Sequence, residues 1–143
     1  MNPRLEHANL LLRDIEATLA FVRTAFPEFS IRHDGRDADG TRWVHVGTDE
    51  TYLALNQSTV EPAERWEPYM GKPGVNHLAF EVADAEALRA RMTAAGYEDS
   101  TPPNNHPHRK RVYFMDTDGN DWEFVQYLSD DPRERDEYET PDK

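Results

Sequence analysis

The chain has 143 residues, 37% of them hydrophobic, which fits one soluble globular domain large enough for a real core. Its 28 acidic residues outnumber 16 basic ones, giving a net charge of −12 that argues against nucleic-acid or anionic-membrane partners. With no cysteine, disulfides, thiolate nucleophiles and Cys-based zinc sites are excluded, so a metal would need His and carboxylate ligands. No stretch has the form of a signal peptide or a membrane span, and a cytoplasmic location is the expectation.

Residues 5–12 read as a strand, with Ala8, Leu10 and Leu12 on one face and His7, Asn9 and Leu11 on the other. Asp14 is placed to cap a helix whose Ile15, Leu19, Val22 and Phe26 share one stripe, and Pro27 ends it. Phe29 to Arg32 is a short strand. Asp34 to Gly40 is a turn; it lacks the glycine and closing glutamate of a calcium loop. Arg42 to Val46 and Thr51 to Asn56 form a hairpin. Residues 58–74, with three prolines and two glycines, are a connector in which Trp66, Tyr69 and Met70 are expected to pack the segment down.

The pattern then starts again. His77 opens a strand with Leu78, Phe80 and Val82 on one face and Ala79 and Glu81 beside His77 on the other. Asp84 caps a helix with Ala85, Leu88, Met92 and Ala95 on its stripe, and Gly96 stops it. A proline-rich loop carrying His106 and His108 leads to strands Arg111 to Met115 and Trp122 to Tyr127, joined by a turn containing Gly119. Residues 129–143 are polar and acidic, and read as a surface tail with at most one frayed helical turn. A strand–helix unit written twice is an internal repeat. The organisation is therefore a first module at 1–57, a connector at 58–74, a second module at 75–128 and the tail, making one domain overall.

The doubled unit resembles the vicinal oxygen chelate superfamily, whose members include glyoxalase I, fosfomycin-resistance proteins, extradiol dioxygenases and bleomycin-binding proteins. The resemblance covers about residues 4–128 and is carried by Asn76-His77-Leu78-Ala79-Phe80-Glu81-Val82 and by Tyr113-Phe114-Met115-Asp116-Thr117-Asp118-Gly119-Asn120-Asp121-Trp122-Glu123-Phe124. Thr117 stands where the family usually has proline, a departure confined to the turn. The resemblance implies an α+β fold: two βαβββ modules whose mixed sheet curls into a cup, helices outside, often paired as a homodimer. It also implies a divalent metal ligated by His7, His77 and Glu123.

The residues support that expectation in their own right. If the helices cover the apolar rows, His7, His77 and Glu123 point away from them, and two imidazoles with one carboxylate suit Fe(II), Mn(II), Ni(II) or Zn(II). Aligning Arg42 to Ala54 with Arg111 to Glu123 without a gap sets Ala54 opposite Glu123, so the fourth carboxylate of the glyoxalase I pattern is missing. Tyr113 is the candidate catalytic residue. Arg111, Asn9, Asn56 and Tyr127 are the candidate substrate contacts, and His45 is expected to face away from the cup. The function that follows is a metal-dependent enzyme acting on a small oxygenated molecule that chelates the metal. A metal-free module that sequesters a cationic drug, as bleomycin-binding proteins do, is the alternative; a regulatory module with relic histidines is a third.

Overall fold

The repeat in the sequence is a repeat of architecture. The computed structural model describes residues 1–139, and the chain divides into two units, Met1–Arg65 and Trp66–Lys143. In the first, β1 (His7–Leu12), α1 (Ile15–Ala25), β2 (Ser30–Arg36), β3 (Arg42–Gly47) and β4 (Tyr52–Gln57) form a sheet of order β1-β4-β3-β2. In the second, β5 (His77–Glu81), α2 (Ala85–Ala94), β6 (Glu98–Asp99), β7 (Arg109–Met115) and β8 (Asp121–Tyr127) give the order β5-β8-β7-β6. Each module's first strand runs parallel to its last, and the other pairings are antiparallel. The fold is α+β, built from two βαβββ modules as expected.

Both helices start by the same device. Asp14 accepts a hydrogen bond from the Ala17 amide at 3.2 Å, and Asp84 accepts one from the Ala87 amide at 2.9 Å. A glutamine in the last two residues of each module's last strand takes a second free amide: Gln57 accepts from Ile15 N and Gln126 from Ala85 N. Gly96 ends α2 in the left-handed region at φ 87°, with Gly96 N donating to Thr93 O and Tyr97 N to Met92 O. These are the two bonds of a helix stop that only glycine forms without strain.

Apolar alternation builds the core of each unit. Leu12, Ile15, Val22, Val44, Val46, Leu53 and Leu55 are buried in the first, and Leu88, Met92, Val112, Phe114, Trp122 and Phe124 in the second. Each such side chain contributes about 1.5–3 kcal/mol by leaving water.

Four local expectations change. The first strand begins at His7, with Leu5 exposed. Strand β2 runs on to Arg36, because Asp34 and Arg36 pair with Val44 and Arg42, and Arg42 also grips the Asp34 carboxylate. The turn shrinks accordingly to the residues around Asp37 and Gly40. Strand β7 starts two residues early at Arg109, and the two-residue β6 pairs with its far end.

The described tail lies on the surface with one helical turn, as expected, and is docked by specific contacts. A single turn, α3 (Pro132–Arg135), capped by Asp131, brings Arg135 over the Tyr127 ring at 4.0 Å and onto Glu81 at 3.1 Å. Arg109 donates to the carbonyls of Arg135 and Glu137, and the His106 ring meets Glu137 at 3.1 Å, so Arg109 and His106 are buried. A chain segment without an apolar stripe docks here through charge-assisted hydrogen bonds. Residues 140–143 of the expected tail lie outside the described residues.

Candidate metal centre

In the second unit, β5 lies beside β8 in a register that sets His77 opposite Asp121 and Ala79 opposite Glu123. β7 lies on the other side of β8 with Tyr113 opposite Glu123. Directly opposed residues share a sheet face, so His77, Glu123 and Tyr113 rise together from the face away from α2. His77 Nε2 is 3.0 Å from Glu123 Oε2, and the His77 ring meets the edge of Tyr113 at 5.8 Å between centroids. His77 remains 35% exposed at its side chain and Glu123 13%, so the pair opens to solvent on one side.

Tyr113 is nearly buried at 9% exposure. Burial, together with the Glu123 charge and its hydrogen bond to Glu123, pushes its phenol up to about 12. The hydroxyl therefore keeps its proton at neutral pH and serves as a donor to Glu123. The Arg111 guanidinium, on the same strand face, opposes this rise, so its positive charge is felt at Tyr113.

Sequence reasoning missed the support behind His77. The Tyr69 hydroxyl donates to Asp121 Oδ2 at 2.7 Å and lies 2.9 Å from His77 Nδ1. Ser100 donates to the other oxygen of Asp121 at 2.8 Å, and Asp121 is only 6% exposed. Tyr69 adopts φ 66°, rare for a bulky residue, and its amide is held by the Asn76 side chain at 2.9 Å. Trp66 does pack the connector as expected, seated where a side chain at Gly74 would collide with its indole. Tyr69 and Met70 are exposed, contrary to that expectation, and Tyr69 instead reaches His77 and Asp121 through its hydroxyl. The available signal was Asn76-His77 itself, since an asparagine one residue before the candidate ligand ties the connector to it.

In the first unit, β1 and β4 set His7 opposite Tyr52 and Asn9 opposite Ala54. His7 stacks on the Tyr52 ring at 4.8 Å, and its Nδ1 is 3.0 Å from Glu6 Oε1. The hydrogen bonds from His7 and Tyr52 hold the Glu6 carboxyl below the usual range. Asn9 is exposed on the His7 face, and Asn56 shares it through its pairing with Leu11. Ala54 does take the place of Glu123 by strand pairing, and it is buried.

The expectation for His45 is overturned. His45 pairs with Ala54 and its ring lies 4.8 Å from Tyr52, so it shares the face of His7. The linker between β3 and β4, Thr48 to Thr51, is one residue shorter than Asp116 to Asn120 between β7 and β8. The ungapped alignment therefore slipped β3 by one residue, which reverses every side chain. By register His45 is the counterpart of Tyr113.

Of the other candidates, Arg111 pairs with Val125 on the face of Tyr113, and Tyr127 lies under Arg135 at the far end of that sheet. Thus His77, Glu123 and Tyr113 are grouped in one unit, with Arg111 nearby; His7, Asn9 and Asn56 share a face in the other. Among the described residues no group of three or more His, Asp or Glu side chains is arranged to hold a metal. No helix among them is long and apolar enough to cross a membrane.

Two ligand atoms each ~2.1 Å from one ion and at right angles to each other are ~3.0 Å apart, a separation that the His77–Glu123 pair shares with an ordinary histidine–carboxylate hydrogen bond.

Residues 4–124 match the model of the Glyoxalase/Bleomycin resistance protein/Dioxygenase superfamily. The chain belongs to that superfamily. Among solved structures, the fosfomycin resistance protein FosX of Listeria monocytogenes is 19% identical with a TM-score of 0.70, covering 94% of this chain and 99% of its own. FosX of Mesorhizobium loti is 20% identical with a TM-score of 0.66, covering 94% and 98%. A domain of the same superfamily from Frankia sp. EAN1pec is 21% identical with a TM-score of 0.73, covering 89% and 99%. At these identities the likeness shows the fold. No curated protein sequence matches the chain.

Proposed function

We propose that this superfamily member is a divalent-metal-dependent enzyme acting on a small oxygenated molecule that chelates the metal. The observation that carries the reading is the His77–Glu123 pair, whose donor atoms sit at ligand spacing on two rigid neighbouring strands with one side open. His77 and Glu123 would hold the metal, with His7 of a second copy in a homodimer as third ligand. The bound ion would supply Lewis-acid polarisation of the substrate oxygens.

The protein's own part is positioning. Tyr113 fixes the Glu123 carboxylate by a hydrogen bond from a hydroxyl that stays protonated. Arg111 offers a positive charge to an anionic substrate group. A Listeria FosX structure holds Mn(II) and 1S,2S-dihydroxypropylphosphonic acid, which puts Mn(II) first among the metals to try and a phosphonate first among the ligands.

The test is metal content after purification without added metal, followed by Mn(II) titration. His77→Ala is expected to lower metal stoichiometry sharply with the fold intact, because the side chain faces away from α2. Full occupancy in that variant would remove the assignment. A protein that takes up no divalent metal yet binds a cationic drug would favour the sequestration alternative.

A further inference from the structure

Four groups behind the candidate metal pair form one chain of contacts: Ser100, Asp121, Tyr69 and His77. Hydrogen-bond accounting decides the direction of each. An ionised carboxylate only accepts, so both Ser100 and Tyr69 must donate to Asp121. Tyrosine has one hydroxyl proton, and at 2.7 Å from Asp121 Oδ2 that proton is spent. The Tyr69 oxygen can then meet His77 Nδ1 at 2.9 Å only as an acceptor. His77 must carry a proton on Nδ1.

With a single proton on the ring, Nε2 presents a bare lone pair toward Glu123 Oε2, 3.0 Å away. Two acceptors that close repel one another unless a proton or a cation lies between them. The arrangement resembles the ordinary outer support of a metal-bound imidazole, in which the second ring nitrogen donates to a fixed partner. Here the partner is a phenol, itself held by a buried carboxylate.

We infer that Tyr69 is a positioning residue that, backed by Asp121, locks His77 in the Nδ1–H tautomer and so aims Nε2 at the metal position. Its use toward a metal rests on the function proposed above; the tautomer assignment does not. The backbone supports the role. Tyr69 sits in the left-handed region, an uncommon place for a bulky side chain, and the Asn76 side chain holds its amide there. A connector residue adopting an unfavourable φ to reach a neighbouring strand's histidine is hard to explain as packing alone.

The experiment reads the ring nitrogens of His77 by ¹⁵N NMR in the metal-free protein, well above the usual histidine range so that the ring is neutral. The native protein is expected to show Nδ1 protonated. Tyr69→Phe, which deletes one oxygen, is expected to shift the ring toward Nε2–H and to weaken Mn(II) binding by about 10–100-fold. Asp121→Asn provides the second variant. Its amide can donate to the Tyr69 oxygen, freeing the hydroxyl to donate to His77, so it should drive the same tautomer change.

An Nδ1–H ring that persists in Tyr69→Phe overturns the inference. So does a changed tautomer with Mn(II) affinity within about twofold of native, since the positioning would then have no effect. If the native protein binds no Mn(II), the metal reading fails while the nitrogen shifts still decide the ring assignment.

Discussion

Ala54 and Glu123 occupy the same place in two copies of one fold, yet one is a methyl group and the other a carboxylate. The neighbouring positions diverge in step. His7 has Tyr52 across from it and stacks on that ring, whereas His77 has Asp121 across from it and is tied to it through Tyr69. His45 stands where Tyr113 stands. The helix caps and the glutamine tethers are shared. What is common to the copies holds the strand–helix unit together, and what differs lies on the open sheet face. A repeat can thus keep its scaffold while its two copies present different side chains on the same sheet face.

The second unit also has an extension that the first lacks, and removing it is the largest way to disturb the comparison. Ending the chain at Leu128 strips Arg109 of its two carbonyl partners and His106 of Glu137. We expect a loss of about 2 kcal/mol of unfolding free energy in urea titration, the scale of hydrogen bonds to a charged group. No loss would mean the docked tail contributes nothing to the unit. The caps sharpen the comparison next. Asp14→Ala and Asp84→Ala should each cost about 1 kcal/mol, and equal costs would show the copies to be energetically as well as structurally repeated.

The smallest effect concerns His45. Burial, and then the positive charges of Arg32, His7 and His33, hold its imidazole below the usual histidine range. The folded state therefore favours the neutral ring. That stability is complete above the ordinary histidine range and is lost as pH falls through it. His45→Gln should shrink the drop in urea midpoint between neutral pH and about pH 5, and an unchanged drop would exclude His45 as its source.

Much of this was readable because it is local. The caps at Asp14 and Asp84, the stop at Gly96 and the buried rows through Val112, Phe114, Trp122 and Phe124 follow from short-range chemistry and from alternation. The correspondence of Ala54 with Glu123 was legible because each is the third residue of the strand beside the first strand of its module. Tyr69 was not, because its contact with His77 depends on the path of a connector with no periodicity. His45 was misplaced because register, unlike period, cannot be counted across a turn of unknown length. The docked tail escaped notice because hydrogen bonds from Arg109 and Arg135 leave no hydrophobic pattern.

The shortened loop from Thr48 to Thr51 bears on anyone who would make the two halves alike. Grafting the second half's phenol into the first by counting back from Ala54 would land on Val44, deep in the hydrophobic interior, and wreck it. The transplant has to be addressed to His45, where the ladder between strands, and not the tally of letters, says the side chain will emerge.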